Sequence, residues 1–343
     1  MSKYTYNKYA YTSINGSICE YLWLDGCGSI RSKTRVNKTQ DLIIPDWSFD
    51  ASSTGQQDPN NSNTEGILKP ILVLEDPLRN IDGYKCLLVL CETYDLEGKP
   101  LKGNYRTAAN EIFDSKLEEI PWFGLEQEYF IRFFKQEHRE TASHYCSTNT
   151  LRATRQIVEE HLNACLKSGV NISGLNAEVS PNQWEFQIGP CEGILAADHL
   201  IVARYLLEKI CEKYDAYVDY SPKPEPNMNG SGCHINFSTE NSRGPNGIEY
   251  LRNYIECLEK DHKNTLKHYG ENNYLRLTGL HETSSIDTFS SGIGTRHTSI
   301  RIPIQVAKEA SGYLEDRRPA ANIDPYDATS ALFNGVFRLI REP

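Results

Sequence analysis

Glutamate side chains recur on the polar faces of segments whose remaining residues are apolar. In residues 176–190, Trp184, Phe186 and Ile188 alternate with polar residues, which is typical of a strand with one buried face. Glu185 therefore points away from the apolar layer. A carboxylate in that position can bind a cation or accept a proton.

Three more segments place metal-binding side chains in the same way. Glu126 and Glu128 are two residues apart and share one face of a strand, as do Glu315 and Arg317. In residues 232–238, His234 lies on the polar face of a strand whose other face is apolar. A turn after Glu178 can fold this carboxylate back toward the strand that follows. The candidate metal ligands are five carboxylates and one imidazole: Glu126, Glu128, Glu178, Glu185, Glu315 and His234.

The charge of such a cluster predicts that it binds cations. At about 4 Å and an effective dielectric constant near 20, two carboxylates repel each other by about 4 kcal/mol. Oxygen-rich sites with one imidazole suit Mg²⁺ or Mn²⁺, whereas zinc prefers cysteine and histidine ligands. The residues therefore predict bound Mg²⁺ or Mn²⁺.

The elements that must position these side chains indicate an α+β chain of two domains. A length of 343 residues exceeds that of one small core. Strands are predicted at 21–26, 42–44 and 83–91, with a long polar loop at 52–66 and a domain boundary near residue 103. Beyond it, helices predicted at 104–115, 151–168, 195–215 and 247–269 alternate with the acidic strands, so we expect a sheet backed by helices.

Composition excludes several classes of function. The net charge of −10 argues against a nucleic-acid-binding surface. No apolar run approaches the roughly 18 residues that a membrane span requires, and the N-terminus has no signal pattern, so we expect a cytoplasmic protein. Ten cysteines without a Cys-x-x-Cys pair are expected to be reduced, buried residues.

In the acidic segments described above, the chain resembles the glutamine synthetase family, in its shorter eukaryotic-type branch. The resemblance extends from about residue 21 to about residue 332 and includes several long motifs in order. The motifs are 45–54, 121–129, 176–190, 229–234, 276–283, 299–303 and 315–322. Residues 1–18 carry no clear period, so we expect an N-terminal arm there. The resemblance implies a small β-grasp-like domain at 19–103 and a catalytic domain at 104–343 with a curved antiparallel sheet backed by helices.

The resemblance also implies how the ligands are shared between two or more cations. Glu128, Glu178 and Glu185 would hold one, and Glu126, His234 and Glu315 another. The first can anchor the substrate carboxylate, and the second can bridge the β- and γ-phosphates of ATP.

Family resemblance assigns substrate and nucleotide contacts to further residues. Arg276 and Arg317 would bind the glutamate carboxylate and the transferred phosphoryl group, and Arg296 would stabilise the phosphoryl transition state. Asn229 and Gly230 would bind the amino acid. The expected nucleotide contacts are Trp122 for adenine, Asn236 and Ser238 for polar groups, and Arg301 for the phosphates.

The implied reaction joins ammonia to glutamate in two steps. Glutamate would attack ATP to give an acyl phosphate, which must be protected from water by a lid. The segment 281–287 resembles the family's flap, with Glu282 closing the site. Asp50 would bind ammonium and accept its proton, and Tyr145 would complete that pocket.

Because Asp50 precedes the domain boundary, the resemblance implies sites shared between adjacent subunits. The expected assembly is a homo-oligomer, a decamer of two pentameric rings, with no nucleic acid or membrane partner. Two departures from the family pattern stand out. Ala51 replaces the usual glycine, and the segment 130–149 is short.

Two other functions remain open from the sequence. A γ-glutamyl ligase that uses another amine would keep the cation ligands and arginines but enlarge the ammonium pocket, and the short segment before Cys146 is compatible with this. A non-catalytic relative would have lost a metal ligand or a phosphate-binding arginine. The retained Asp50 and Glu282 favour ammonia.

Overall fold

The structure is a computed structural model that describes residues 15–39, 41–135, 145–148 and 152–338. The chain divides into two compact units, with Gly103 ending the first and Asn104 beginning the second. Each unit has its own sheet. Within the described residues, no helix is both long enough and apolar enough to cross a bilayer.

The first unit is a five-stranded mixed sheet. Its strands are β1 (Gly16–Leu24), β2 (Ile30–Asn37), β3 (Trp47–Asp50), β4 (Glu65–Glu75) and β5 (Tyr84–Tyr94). Their spatial order is β2-β1-β5-β4-β3, and β1 and β5 are parallel, whereas the other pairs are antiparallel. Tyr21, Leu68 and Val89 are fully buried in its core.

Two strand predictions in this unit differ from the structure. The strand predicted at 21–26 begins earlier, at Gly16, before the predicted end of the N-terminal arm at residue 18. The strand predicted at 42–44 is wrong, because Leu42 and Ile43 are exposed and the strand that pairs with β4 starts only at Trp47. Ala51 does not have a positive φ, so the missing glycine causes no backbone strain.

The second unit contains an eight-stranded, mostly antiparallel sheet. Its strands are β6 (Trp122–Phe133), β7 (Ile172–Ala177), β8 (Gln183–Glu192), β9 (Ala216–Asp219), β10 (Cys233–Ser238), β11 (Ser291–Ile293), β12 (Ile300–Ile302) and β13 (Leu314–Asp316). The order is β11-β12-β13-β10-β6-β8-β7, and β9 also pairs with β6. The predicted α+β architecture is therefore present.

The second unit also contains helices, some of which pack against this sheet. They are α1 (Tyr105–Asp114), α2 (Arg152–Ser168), α3 (Leu195–Lys213), α4 (Glu240–Arg243), α5 (Gly247–Lys260), α6 (His262–Thr265), α7 (Ile304–Glu309) and α8 (Pro325–Phe337). Three of the four predicted helices correspond to α1, α2 and α3. The fourth, predicted at 247–269, is broken, because Asp261 leaves the helical conformation and its side chain bonds Asn264 instead.

The sheet's buried face fixes which side chains point the other way. Leu125, Phe186 and Phe237 lie at 0–1% exposure on that face, and α3 packs against β6 and β8. Since side chains alternate along a strand, the residues next to these three point to the opposite face. The acidic residues lie on that face.

Candidate active site

Pairing between central strands brings the predicted ligands together. On β6, Glu126 lies opposite His234 of β10, and Glu128 lies opposite Glu185 of β8. Directly opposite residues of antiparallel strands have neighbouring side chains on the same face. Glu315 of β13 joins them from the next strand, with one carboxylate oxygen 3.5 Å from Nδ1 of His234.

Two overlapping groups of side chains have the spacing of a cation site. One is Glu126, His234 and Glu315, and the other is Glu128, Glu185 and His234, with ligand atoms within 4.8 Å of one another in each group. Hard carboxylate oxygens with one imidazole suit Mg²⁺ or Mn²⁺. The residues present therefore fit the implied cations.

Glu178 lies in the same cleft, and two amides that sequence analysis did not assign connect it to Glu185. Asn176 donates from Nδ2 to Oε1 of Glu178 at 2.9 Å, and Gln187 donates to Oδ1 of Asn176 at 2.8 Å and also to Glu185. Both amides lie in the acidic stretch 176–190. Each hydrogen bond fixes one carboxylate oxygen, and Oε2 of Glu178 also accepts from the main-chain nitrogen of Val179 at 3.3 Å.

Burial shifts the acids of the cluster toward their protonated forms. Burial, and then the charge of Glu178, raise the pKa of Glu128 to about 8. Burial raises the pKa of Glu185 well above its usual range, and the charges of Glu126, Glu128 and Glu178 add to the effect. Without a cation the cluster therefore holds protons, as the repulsion between its charges requires.

His234 is suited to act as a neutral ligand. Burial, followed by the charge of Arg317, lowers the pKa of His234 far below its ordinary value. Nη2 of Arg276 lies 3.0 Å from Nε2 of the ring and donates to it, while Nδ1 faces Glu126 and Glu315. Neutral imidazole is the form that binds metals.

Arginines also line the cleft. Nη1 of Arg317 donates to Oε1 of Glu315 at 2.7 Å, and Arg301 forms an ion pair with the same carboxylate. Arg276 is held by the main-chain oxygen of Arg317 at 2.9 Å. Arg296 also lines the cleft. Guanidinium groups placed beside acidic ligands can bind the oxygens of a carboxylate or a phosphate.

Most of the predicted site residues line this one polar cleft. They are Glu126, Glu128, Tyr145, Glu178, Glu185, Asn229, Gly230, His234, Arg276, Glu282, Arg296, Arg301 and Arg317. Asn176, Gln183, His281 and Thr283 also line it and were not assigned from the sequence. Arg318 does not line it, because it forms a fully buried ion pair with Asp316 at 2.6 Å.

An apolar pocket of about 440 Å³ adjoins the cleft, and Glu126 lines both. Trp122, Asn236 and Ser238, to which the resemblance assigns nucleotide contacts, lie in its wall, and Asn236 also donates to Glu126 at 2.8 Å. Arg243, which the sequence did not indicate, stacks 4.1 Å from the centre of the Trp122 ring.

Asp50 belongs to the first unit and is described there by itself. It ends β3, and its carboxylate accepts hydrogen bonds from the hydroxyls of Ser52 and Ser53 at 2.6 and 2.5 Å. These bonds lower the pKa of Asp50 to about 2. The group is exposed and ionised at neutral pH, which is the form that can attract a cation.

An acidic cleft with two overlapping cation sites beside an apolar pocket is typical of metal-dependent enzymes that use nucleotides. Residues 110–342 match the family model described as glutamine synthetase, catalytic domain. The chain therefore belongs to the glutamine synthetase family, which confirms the resemblance found in its sequence.

Named relatives agree over nearly the whole chain. A putative glutamine synthetase of Acanthamoeba polyphaga mimivirus is 49% identical over 337 residues, 93% of this chain and 94% of the relative. A glutamine synthetase of the fungus Hebeloma cylindrosporum is 45% identical over 91% of each chain. That of Candida glabrata is 44% identical over 96% of this chain and 91% of its own.

Proposed function

We propose that this protein catalyses the ATP-dependent ligation of ammonia to the γ-carboxylate of glutamate, giving glutamine, ADP and phosphate. The observation that carries the proposal is the position of Glu126, which lines both the acidic cleft and the apolar pocket. A nucleotide with its base in the apolar pocket would direct its phosphates at the cation ligands and arginines. Family membership supports the same reaction.

Two or more Mg²⁺ or Mn²⁺ ions fit the acidic cluster. Glu128, Glu178 and Glu185 would hold one, and Glu126, His234 and Glu315 would hold another. Bound cations would neutralise charge on the phosphates and polarise the phosphoryl oxygens.

The protein's own side chains would orient and protect the reactants. Asn229 and Gly230 would hold the amino acid, and Arg276 would bind its carboxylate. Arg296 and Arg317 would stabilise the charge on the transferred phosphoryl group. In the first step, the γ-carboxylate of glutamate would attack the γ-phosphate of ATP and release ADP, which gives a γ-glutamyl phosphate. In the second step, attack by ammonia would give glutamine and release phosphate.

Ammonium needs a negative site and a base. We assign both roles to Asp50, which is exposed and has a pKa of about 2. We assign Glu282 to closing the cleft and Tyr145 to completing the ammonium pocket. Arg301 would bind the nucleotide phosphates, and the Trp122 ring would contact adenine.

The remaining assignments follow from the family and are part of the proposal. The five-stranded mixed sheet, whose strands lie within residues 16–94, would form the β-grasp-like domain assigned to 19–103, and residues 104–343 would form the catalytic domain. Sites would form between adjacent subunits of a cytoplasmic homo-oligomer, a decamer of two pentameric rings. This arrangement would supply Asp50 to a neighbouring subunit's cleft.

The experiment is glutamine and phosphate production with glutamate and ATP in Mg²⁺ or Mn²⁺, with ammonium, with a panel of primary amines, or with no amine. Glutamine formed with ammonium, lost in Glu185→Gln and retained in Glu256→Gln, is the expected result. Glu256 is an exposed residue of α5, so its variant is a matched control for loss of one carboxylate. Turnover with a larger amine alone would identify a different ligase, and no turnover with any nucleophile would contradict the proposal.

A further inference from the structure

Gln127 separates the two cation ligands of β6 and points to the other face of the sheet. Its side chain is fully buried. The amide nitrogen donates to the main-chain oxygen of Glu128 at 2.8 Å and to that of Ala321 at 3.1 Å. A shift of the Gln127 main chain would also move Glu126 and Glu128, because the three residues are consecutive on strand β6.

Arg204 reaches Gln127 from helix α3. Its Nε and Nη2 atoms both donate to Oε1 of Gln127, at 2.8 and 2.5 Å. Its Nη1 donates to the main-chain oxygen of Ile323 at 2.9 Å, and Nη2 also donates to that of Ala321 at 3.0 Å. The guanidinium therefore joins α3, β6 and the segment that follows β13.

Ala321 is the point where the binding segments meet. It lies four residues after Arg317, and its main-chain nitrogen donates to the oxygen of Ser231 at 3.0 Å. Ser231 directly follows Asn229 and Gly230, which line the cleft. The Arg204–Gln127 link thus fixes the distances between three groups: the β6 ligands, the Arg317 segment and the Asn229 segment.

The stability of the fold does not by itself explain a buried arginine at position 204. It is 7% exposed, and its hydrogen bonds to described residues go to neutral oxygens, while Glu208 and Asp324 are near enough for its charge to act on their pKa values. Burying a cation without a directly bonded carboxylate is costly, and apolar residues often stabilise such a position at least as well. A planar guanidinium, however, fixes the direction of several acceptors at once.

We propose that Arg204 and Gln127 are positioning residues that set the spacing between the cation ligands and the glutamate-binding segments. Neither side chain lines the cleft, so both act through the residues that do. The inference rests on the proposed function, because it concerns the same cation and glutamate sites.

Two variants break the link from opposite sides. Gln127→Met and Arg204→Met keep similar side-chain volumes but remove the hydrogen bonds between β6 and α3. Tyr326→Phe is the matched control, because it removes a buried 2.7 Å hydrogen bond from Tyr326 to Asp198 on the same helix, away from the cleft. For each protein we would measure Mn²⁺ binding by the metal-free enzyme, KM for glutamate, kcat and the unfolding temperature.

Both Met variants are expected to bind Mn²⁺ about tenfold more weakly and to show a raised KM for glutamate. Tyr326→Phe is expected to lower the unfolding temperature and leave both quantities unchanged. Unchanged Mn²⁺ binding and KM in the Met variants would overturn the inference, as would failure of both to fold while Tyr326→Phe folds. Absence of Mn²⁺ binding in the unmodified protein would instead contradict the proposed function.

Discussion

At the scale of single residues, the proposed cation ligands hold protons that a bound cation would displace. Glu128 has a pKa of about 8, and the pKa of Glu185 is also raised. A carboxylate binds a cation in its ionised form, so a cation that binds below pH 8 must displace protons. Burial of these acids thus couples cation affinity to pH.

We predict that Mn²⁺ binding releases protons at pH 7 and that the apparent Mn²⁺ affinity rises with pH from about 6 to about 8. Isothermal titration calorimetry in two buffers of different ionisation enthalpy measures the protons released. Glu128→Gln should release fewer protons than the unmodified protein. Identical heats in both buffers at pH 7 would contradict this account.

Gly232 illustrates a residue whose lack of a side chain is required. A Cβ atom there would lie 2.5 Å from Nη2 of Arg276 and 2.8 Å from Nε2 of His234. Such an atom would separate the arginine from the imidazole, and both groups belong to the cleft.

We predict that Gly232→Ala lowers kcat/KM for glutamate by about 100-fold, because it displaces Arg276 and His234 by a large fraction of an ångström or more. Steady-state kinetics and a far-ultraviolet circular dichroism spectrum test the prediction. Gly244→Ala is the control, since its nearest contacts would be at an ordinary 3.5 Å. Equal activity of the two variants would show that the cleft adapts.

At the scale of elements, helix α3 carries an acid that the reaction does not use. Burial raises the pKa of Glu208 to about 7, and the nearby Arg204 partly opposes the shift. The folded state therefore keeps this proton to a higher pH than the unfolded chain does. The stability that protonated Glu208 contributes is present below about pH 4.5 and is lost as the pH rises through 7.

We predict that Glu208→Gln raises the free energy of unfolding at pH 8 by on the order of 2 kcal/mol relative to the unmodified protein, because glutamine avoids the buried charge. The difference should shrink toward zero near pH 4.5. Urea unfolding of both proteins at several pH values measures it. A constant difference across that range would assign the effect to packing.

The segment 281–287, which we propose closes the cleft, has an unusual backbone conformation. His281 and Glu282 are consecutive non-glycine residues with positive φ angles of 52° and 63°, a conformation that is sparsely populated for such residues. Nη2 of Arg317 donates to the main-chain oxygen of Glu282 at 3.3 Å, and Thr283 bonds that of Arg276. The segment is therefore tied to two of the cleft's arginines.

We predict that Glu282→Ala uncouples the two steps of the reaction, because an incompletely closed cleft admits water to the acyl phosphate. The ratio of phosphate released to glutamine formed should rise above one. Both products are measured in the same reaction at saturating ammonium. A variant that is slower but keeps a ratio of one would remove the lid role from Glu282.

At the scale of the whole molecule, the two units supply different parts of the proposed site. The cleft and its cation ligands lie in the second unit, whereas Asp50 lies in the first. The proposed sharing between subunits has a direct test in mixed assemblies.

We predict that Asp50→Asn and Glu185→Gln proteins, each inactive alone, regain activity after they are unfolded and refolded together. If each site takes Asp50 from a neighbouring subunit, about a quarter of the sites in a random mixture contain both native residues. Glutamine synthesis by the mixture, compared with that of each variant refolded alone, is the measurement. A mixture as inactive as its components would place both residues in one subunit's site.

Part of the fold and site was predictable from local pattern. The alternation of Trp184, Phe186 and Ile188 with polar residues identified β8 and the direction of Glu185, because strand geometry has a strict period of two. The helix at 195–213 was predictable because apolar residues recur along it with the spacing of one helix face. Family resemblance then grouped residues from separate segments.

Local pattern failed where distant contacts decide. Leu42 and Ile43 are apolar yet exposed, because no strand among the described residues pairs with them and β4 instead pairs with Trp47 and its neighbours. The helix predicted at 247–269 breaks at Asp261, whose side chain forms local hydrogen bonds. No sequence motif indicated Arg243, because its contact with Trp122 exists only in the folded chain.

The sequence by itself determined which residue types face one way and which family the chain belongs to. The tertiary structure alone decided that Glu126 faces His234, that Glu128 faces Glu185, and that Glu126 lines two adjoining cavities. The physical reason is that side-chain alternation is set by the local backbone. Register between strands, burial and the resulting pKa shifts depend on residues far apart in the chain.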